Sequence, residues 1–306
     1  MKHTFSLSAN IENGFAADAQ YIVTPNAQHA IHGIVSDYQT GIHSFTIIGT
    51  YGTGKSSFLL ALESDLQKQR KQQYLLNPKS LQQTAKFEIL KIVGDYAEMS
   101  ILLQRSLNVE SSKISVLDEL KAYYSRCQKQ GKFLVIIIDE FGKVLEHAAK
   151  NNPEKELYFL QKLCEVVNNP QRQILLLTTL HQNFSAYAKG MTEEQVNEWT
   201  KVKGRFKEIT FVEPIEQLLL LASQQLQEER KTTVGENAEP LCDLAKETHY
   251  VANDFSTETA LQLYPLDLFS AYAVTSAIQR YGQNERSLFT FLAARGSNSI
   301  MEFEPK

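Results

Sequence analysis

The sequence predicts an α/β fold, a layered αβα sandwich on a central parallel sheet, followed by a helical lid subdomain. Three observations predict it. An apolar, partly β-branched run at 45–48 opens into a glycine-rich turn and then a helical pattern with Phe58, Leu62 and Leu66 on one face. A continuous apolar run at 133–138 reads as a central strand covered on both faces. Beyond Glu213-Pro214 the pattern is mainly helical. The expected organisation is an N-terminal segment (1–44), a sandwich core (45–213) and a helical unit (214–306). Hydrophobic content of 43% and charged content of 22% suit a globular chain that buries a sizeable core.

The turn after the first strand is Gly49-Thr50-Tyr51-Gly52-Thr53-Gly54-Lys55-Ser56-Ser57, which fits G-x-x-x-x-G-K-[ST] at every fixed position. Strand, glycine-rich turn and helix together form the context of a phosphate-binding loop (P-loop), so the sandwich is of the P-loop NTPase type. Successive backbone N–H groups can ring a phosphate only where side chains do not block the required backbone angles, which Gly49, Gly52 and Gly54 permit. The positive end of the following helix adds to the field. Lys55 is expected on the β- and γ-phosphates and the Ser56 hydroxyl on magnesium.

The remaining elements follow in order. Pro25-Asn26 marks a boundary, and 27–38 has helical spacing. Residues 21–25 lie just upstream of the loop; packing and lining of a nucleotide base are equally consistent with them. Residues 86–94 alternate and read as a strand; 116–130 is a helix stopped by Gly131. The run at 133–138 ends in Asp139-Glu140. Ligands of open α/β sheets bind outside the carboxyl ends of strands, so Asp139 is placed to hold magnesium opposite Ser56. Glu140 is placed to orient or deprotonate an attacking water. The alternative is an acidic cap on a helix at 141–150. A helix at 153–167 starts at Pro153. A buried strand at 173–180 ends in Thr178, Thr179, His181, Gln182 and Asn183; a polar group that senses a γ-phosphate and ordinary strand-end loop chemistry are equally consistent with them. A short acidic helix at 192–200 carries Trp199, the single tryptophan. The stretch 201–207 alternates basic and apolar before a strand at 208–212, as a solvated edge does, or as Arg205 would if it donated to a phosphate of this subunit or a neighbour. Helices follow at 215–229, 236–248, 264–280 and 288–294.

Net charge is −4, which gives no global attraction to nucleic acid. Three scattered cysteines exclude a disulfide framework and a cysteine-rich zinc site, and fit a cytoplasmic location. No apolar run reaches the length of a membrane span. The C-terminal GSNSIMEFEPK closes no core element, which leaves room for a longer protein or a partner.

This order of motifs resembles AAA+ ATPases, in particular the origin-recognition/Cdc6-like branch and the related STAND NTPases. The resemblance implies an ATP- and Mg2+-dependent ATPase that works as a homo-oligomer or in a larger complex, on DNA or a protein partner. It maps the hydrolytic glutamate onto Glu140, the polar sensor onto 178–183 with Thr179 as candidate, the finger arginine onto Arg205 and the lid arginine onto Arg286, more weakly Arg280. The stretches DEFGKVLEHAAK, TLHQNFSAYA, NEWTKVKGRF and GQNERSLFTFL are also similar to ATPase modules of prokaryotic phage-defence proteins. A second class of function fits the same residues: a nucleotide-gated assembly module with negligible turnover. A small-molecule kinase is disfavoured because the second carboxylate suits water activation, and an ABC-type ATPase because no LSGGQ-like segment occurs.

Overall fold

The computed structural model describes residues 11–12, 14, 21–68, 74–81, 86–109, 114–230, 238–281, 288–293 and 299–300. Helix α1 (Pro25–Gln39) leads into strand β1 (Ser44–Ile48) and helix α2 (Lys55–Leu66). Then come β2 (Phe87–Val93), α3 (Met99–Ser106), α4 (Val116–Lys129), β3 (Phe133–Asp139), α5 (Phe141–Lys150), α6 (Pro153–Val167), β4 (Ile174–Leu180), α7 (Glu193–Lys203) and β5 (Lys207–Thr210). The five strands form one sheet in the order β2-β3-β4-β1-β5, parallel throughout. All their carboxyl ends therefore lie at one rim. The P-loop α/β sandwich expected from the sequence is the architecture observed.

Strand alternation explains why β3 is apolar along its length. Phe133, Val135 and Ile137 belong to the core on one face, with α1 and α2. Leu134, Ile136 and Ile138 belong to the core on the other, with α3 to α7. A strand buried on both faces leaves no position for a polar residue until it ends. Asp139 continues the first face, the one covered by α2, and that parity aims it at the start of α2. Inside the sheet, Thr46 and Thr178 join β1 and β4 through a buried hydroxyl–hydroxyl hydrogen bond of 2.8 Å. None of the four residues of the edge strand β5 is buried, as suits a solvated edge.

The last part is helical: α8 (Ile215–Arg230), α9 (Ala238–Glu247), α10 (Thr257–Gln262), α11 (Leu268–Tyr281) and α12 (Leu288–Ala293). It has its own core, including Leu219, Leu226, Cys242, Leu263 and Leu292. The helix expected at 264–280 starts later, at Leu268, where Asp267 caps α11 by accepting from the Ser270 N–H at 2.9 Å. Strand β5 ends at Thr210 rather than at 212. No helix among the described residues is long and apolar enough to cross a membrane.

Trp199 is 1% exposed, and its indole N–H donates to the Phe184 carbonyl at 2.9 Å. Its ring packs on Phe184, which in turn packs on Phe206 and Phe141. Trp199→Ala should cost about 3–5 kcal/mol, read as a lowered urea midpoint at unchanged slope.

Candidate functional site

Gly49 to Gly54 leave the end of β1 and turn into α2. Gly52 and Gly54 have positive φ, 74° and 86°, where a side chain is strained. Gly49 is needed for a different reason: a Cβ there would collide with the carbonyl oxygen of Phe211. Phe211 is fastened to the same place, its N–H donating to the Ile48 carbonyl at 2.6 Å. The loop is thus pressed against the chain that leaves β5. Thr53 Oγ1 donates to the Thr50 carbonyl at 2.9 Å and braces the turn.

Three separate segments meet on one carboxylate. The Ser56 hydroxyl donates to Asp139 Oδ2 at 2.7 Å. The Thr179 hydroxyl donates to Asp139 Oδ1 at 2.6 Å, and the Glu140 N–H reaches the same oxygen at 3.1 Å. Asp139 is 6% exposed. Its oxygens face Ser56 and Thr179, and α5 begins after Glu140 with no side-chain cap, so capping that helix is not what places Asp139. The decisive geometric expectation, that the glycine-rich loop and the paired acids share one rim, is what the structure shows.

Glu140 takes a left-handed backbone conformation, φ 54° and ψ 35°. That conformation turns the chain sharply from β3 into α5 and leaves the Glu140 side chain partly exposed. Gly94 makes the turn possible, since a Cβ at 94 would run into the Glu140 carbonyl. Its N–H also donates to the Asp139 carbonyl at 2.7 Å. The Glu140 carboxylate forms an ion pair with Lys143.

Lys55 is 5% exposed. Its ammonium donates to the Gly49 carbonyl at 2.6 Å, the Thr50 carbonyl at 2.8 Å and His181 Nδ1 at 3.3 Å. Burial pulls its pKa down to about 8, against the opposing pull of Asp139 and Glu140. Because Lys55 donates, Nδ1 of His181 carries the lone pair and Nε2 the proton. The His181 ring stacks on Tyr51, centroids 3.5 Å apart and planes at 18°. Burial, then Lys55 and Lys143, push the His181 pKa down to about 3. The side wall of the loop is therefore a neutral imidazole clamped between a phenol and an ammonium.

The fold is a P-loop α/β sandwich. No family model matches the sequence, and no curated protein matches it. Among solved structures the chain is similar to the ORC2 protein of Aeropyrum pernix in its ADPNP and ADP complexes. That alignment has 13% identity, covers 78% of this chain and 69% of the other, and has a TM-score of 0.45. It is similar to domain III of the Thermotoga maritima replication initiation protein DnaA at 14% identity, covering 81% and 95%, with a TM-score of 0.35. Cdc6p from Pyrobaculum aerophilum aligns at 14% identity over 88% and 66%, with a TM-score of 0.36.

Of the residues picked from the sequence, Gly49 to Ser56, Asp139, Glu140 and Thr179 come together. Ser57 is the third residue of α2 and is partly exposed. Arg205 does not join them. It precedes β5, beside the amino end of β1, and its guanidinium contacts Glu165 at 3.3 Å. Its carbonyl accepts from Asn168, which also receives the Ser44 hydroxyl at the start of β1. That is the rim opposite the loop, so action on a nucleotide of its own chain is excluded by topology. Arg286 lies outside the described residues. The sequence did not single out Gly94 or Lys143, and within 178–183 it preferred Thr179 to His181; the aromatic Tyr51 in the loop was the available hint, since a ring there needs a stacking partner.

His181 supplies a pH test. Its folded pKa lies below the unfolded value, so the folded state binds fewer protons, and stability is lost as pH falls from about 6.5 toward about 3. Urea midpoints should fall over that window more steeply for the wild type than for His181→Asn; parallel curves would refute the neutral, buried imidazole.

Proposed function

We propose that this chain is a magnesium-dependent ATPase whose nucleotide state sets the arrangement of the helical unit on the sandwich. The observation that carries the reading is the meeting of Ser56 and Thr179 on Asp139, directly beside the glycine-rich loop and the buried Lys55. Ser56 Oγ and Asp139 Oδ2 are hard oxygen donors 2.7 Å apart, a set that suits magnesium. Ser56 and Asp139 would hold that ion, which would offset the negative charge of the phosphates. The loop N–H groups and the start of α2 bind phosphate oxygens. Lys55 turns from the Gly49 and Thr50 carbonyls to the phosphates, where its positive charge is better matched. That turn frees His181, whose ring is then a sensor for the terminal phosphate, alongside Thr179, which fixes the carboxylate of Asp139. Glu140 takes the proton of the attacking water once it leaves Lys143.

Arg205, at the opposite rim, acts on the nucleotide of a neighbouring copy in a homo-oligomer, and Arg286 of the helical unit contacts the γ-phosphate. Both assignments rest on the AAA+ resemblance, as does work on DNA or a protein partner; phage defence as its setting rests on the similarity of four stretches to phage-defence ATPase modules, and the cytoplasm as its location on the three scattered cysteines. One observation favours the second reading, a nucleotide-gated assembly module: the Glu140–Lys143 ion pair holds the catalytic carboxylate to its own helix.

Lys55→Ala should abolish the rise in melting temperature produced by magnesium-ATP; an undiminished rise counts against the loop as the binding site. Glu140→Gln should lower steady-state phosphate release by about 10²–10⁴-fold while nucleotide binding persists, whereas background turnover in the wild type with ATP-dependent assembly would establish the second reading. Arg205→Ala should reduce turnover with little change in ATP affinity, and equal turnover in the variant removes the neighbour-acting role.

A further inference from the structure

We infer that Glu213 reads the base of the bound nucleotide, and that it favours adenine over guanine and uracil by accepting a hydrogen bond from the exocyclic amine. The inference rests on the nucleotide-binding reading above and extends it to base identity. The terminal-phosphate end of the site is fixed by Ser56, Asp139 and Thr179, which lie on the β3 and β4 side of β1. β5 lies on the other side of β1. A nucleotide with its last phosphate beside Asp139 therefore directs its nucleoside toward the chain leaving β5. That chain is pressed onto the loop through Phe211, whose N–H is bonded to the Ile48 carbonyl and whose ring packs on Phe58. Two residues further on stands Glu213.

Glu213 is 5% exposed. One oxygen, Oε1, accepts from the Thr24 hydroxyl at 2.5 Å and from the Asn26 amide at 3.4 Å. The other, Oε2, is buried and has no hydrogen-bond partner among the described residues. The Glu213 backbone carbonyl accepts from Gln279 of α11 at 2.7 Å, which holds the residue in place from the helical side. A buried carboxylate oxygen without a donor is costly, and a ligand N–H removes that cost. Val212, the neighbour of Glu213, is an aliphatic side chain left 45% exposed, a surface suited to the face of a planar ring.

One free acceptor separates adenine, and cytosine with the same amine-beside-acceptor edge, from guanine and uracil. Adenine offers a single amine at N6 with an acceptor nitrogen beside it, which one carboxylate oxygen satisfies. Guanine offers paired N1–H and N2–H donors that call for both carboxylate oxygens, and Oε1 is already committed to Thr24 and Asn26. Guanine O6 or a uracil carbonyl turned to Oε2 would set acceptor against acceptor. Two observations made independently, an orphaned oxygen and its position across β1 from the metal-binding end, thus converge on one donor group.

The test is isothermal titration of the full chain with magnesium and three ligands: ATP, purine riboside 5′-triphosphate, which differs from ATP only in lacking the amine, and inorganic tripolyphosphate. The wild type should bind ATP about ten- to hundredfold more tightly than the deaminated analogue. Glu213→Met, and separately Glu213→Leu, which keep bulk and carry no acceptor oxygen, should bring the two nucleotides to within about twofold while tripolyphosphate binding stays at the wild-type level. Equal wild-type affinity for ATP and the analogue overturns the inference without any variant, and so does a preference that survives both substitutions. Failure of tripolyphosphate to bind the wild type is a different result, which overturns the nucleotide site itself.

Discussion

A single carboxylate organises this molecule's candidate site. Asp139 sits at the end of a strand that is apolar along its whole length, and it collects donors from three stretches of chain. Ser56 is 83 residues away in sequence and Thr179 is 40 away. A nearly buried anion is tolerated only when donors surround it, so its satisfaction and the registration of α2, β3 and β4 are one requirement. Lys55 adds a cation within electrostatic reach, and its burial keeps that cation under tension. The charged groups are placed by the sheet rather than by each other: strand parity points Asp139 to the face of α2, and the helix start brings Ser56 to meet it.

What was legible in the sequence is what local chain chemistry determines. The residues at 133–138 read as a strand covered on both sides, and a glycine-rich turn between strand and helix fits the phosphate-loop pattern at every fixed position. Those two stretches sufficed to place Lys55, Ser56 and Asp139 at one rim. The parts that were not legible depend on contacts between residues far apart in sequence. Gly94 has no local signature, because its role is to let the Glu140 carbonyl approach. His181 was one of several polar residues after β4, and only the packed structure shows that it, not Thr179, lies against Lys55. Arg205 was legible as a basic residue but not as one on the far rim, since its position follows from the register of β5 on β1. Glu213 read as a boundary marker because its partners, Thr24 and Asn26, are nearly two hundred residues earlier.

The glycines of the loop serve two distinct physical ends. Gly52 and Gly54 supply backbone angles, whereas Gly49 supplies room for the Phe211 carbonyl. The second use ties the loop to the segment that leaves the sheet, so that the loop is shaped partly by a piece of chain more than 150 residues downstream. The stacking of Tyr51 on His181 closes the other flank. The loop is held from both sides by packing, and its own turn chemistry accounts for only part of its form.

The fastening of Phe211 has a mechanical corollary. Its N–H is bound to the strand that feeds the loop, and two residues later the Glu213 carbonyl is bound to Gln279 on α11. Between an anchor on the sheet and an anchor on the helical unit there is one residue, Val212. The sheet and the helical segment are thus pinned to the chain within a span of three residues, which leaves little slack between the end of the sheet and α11.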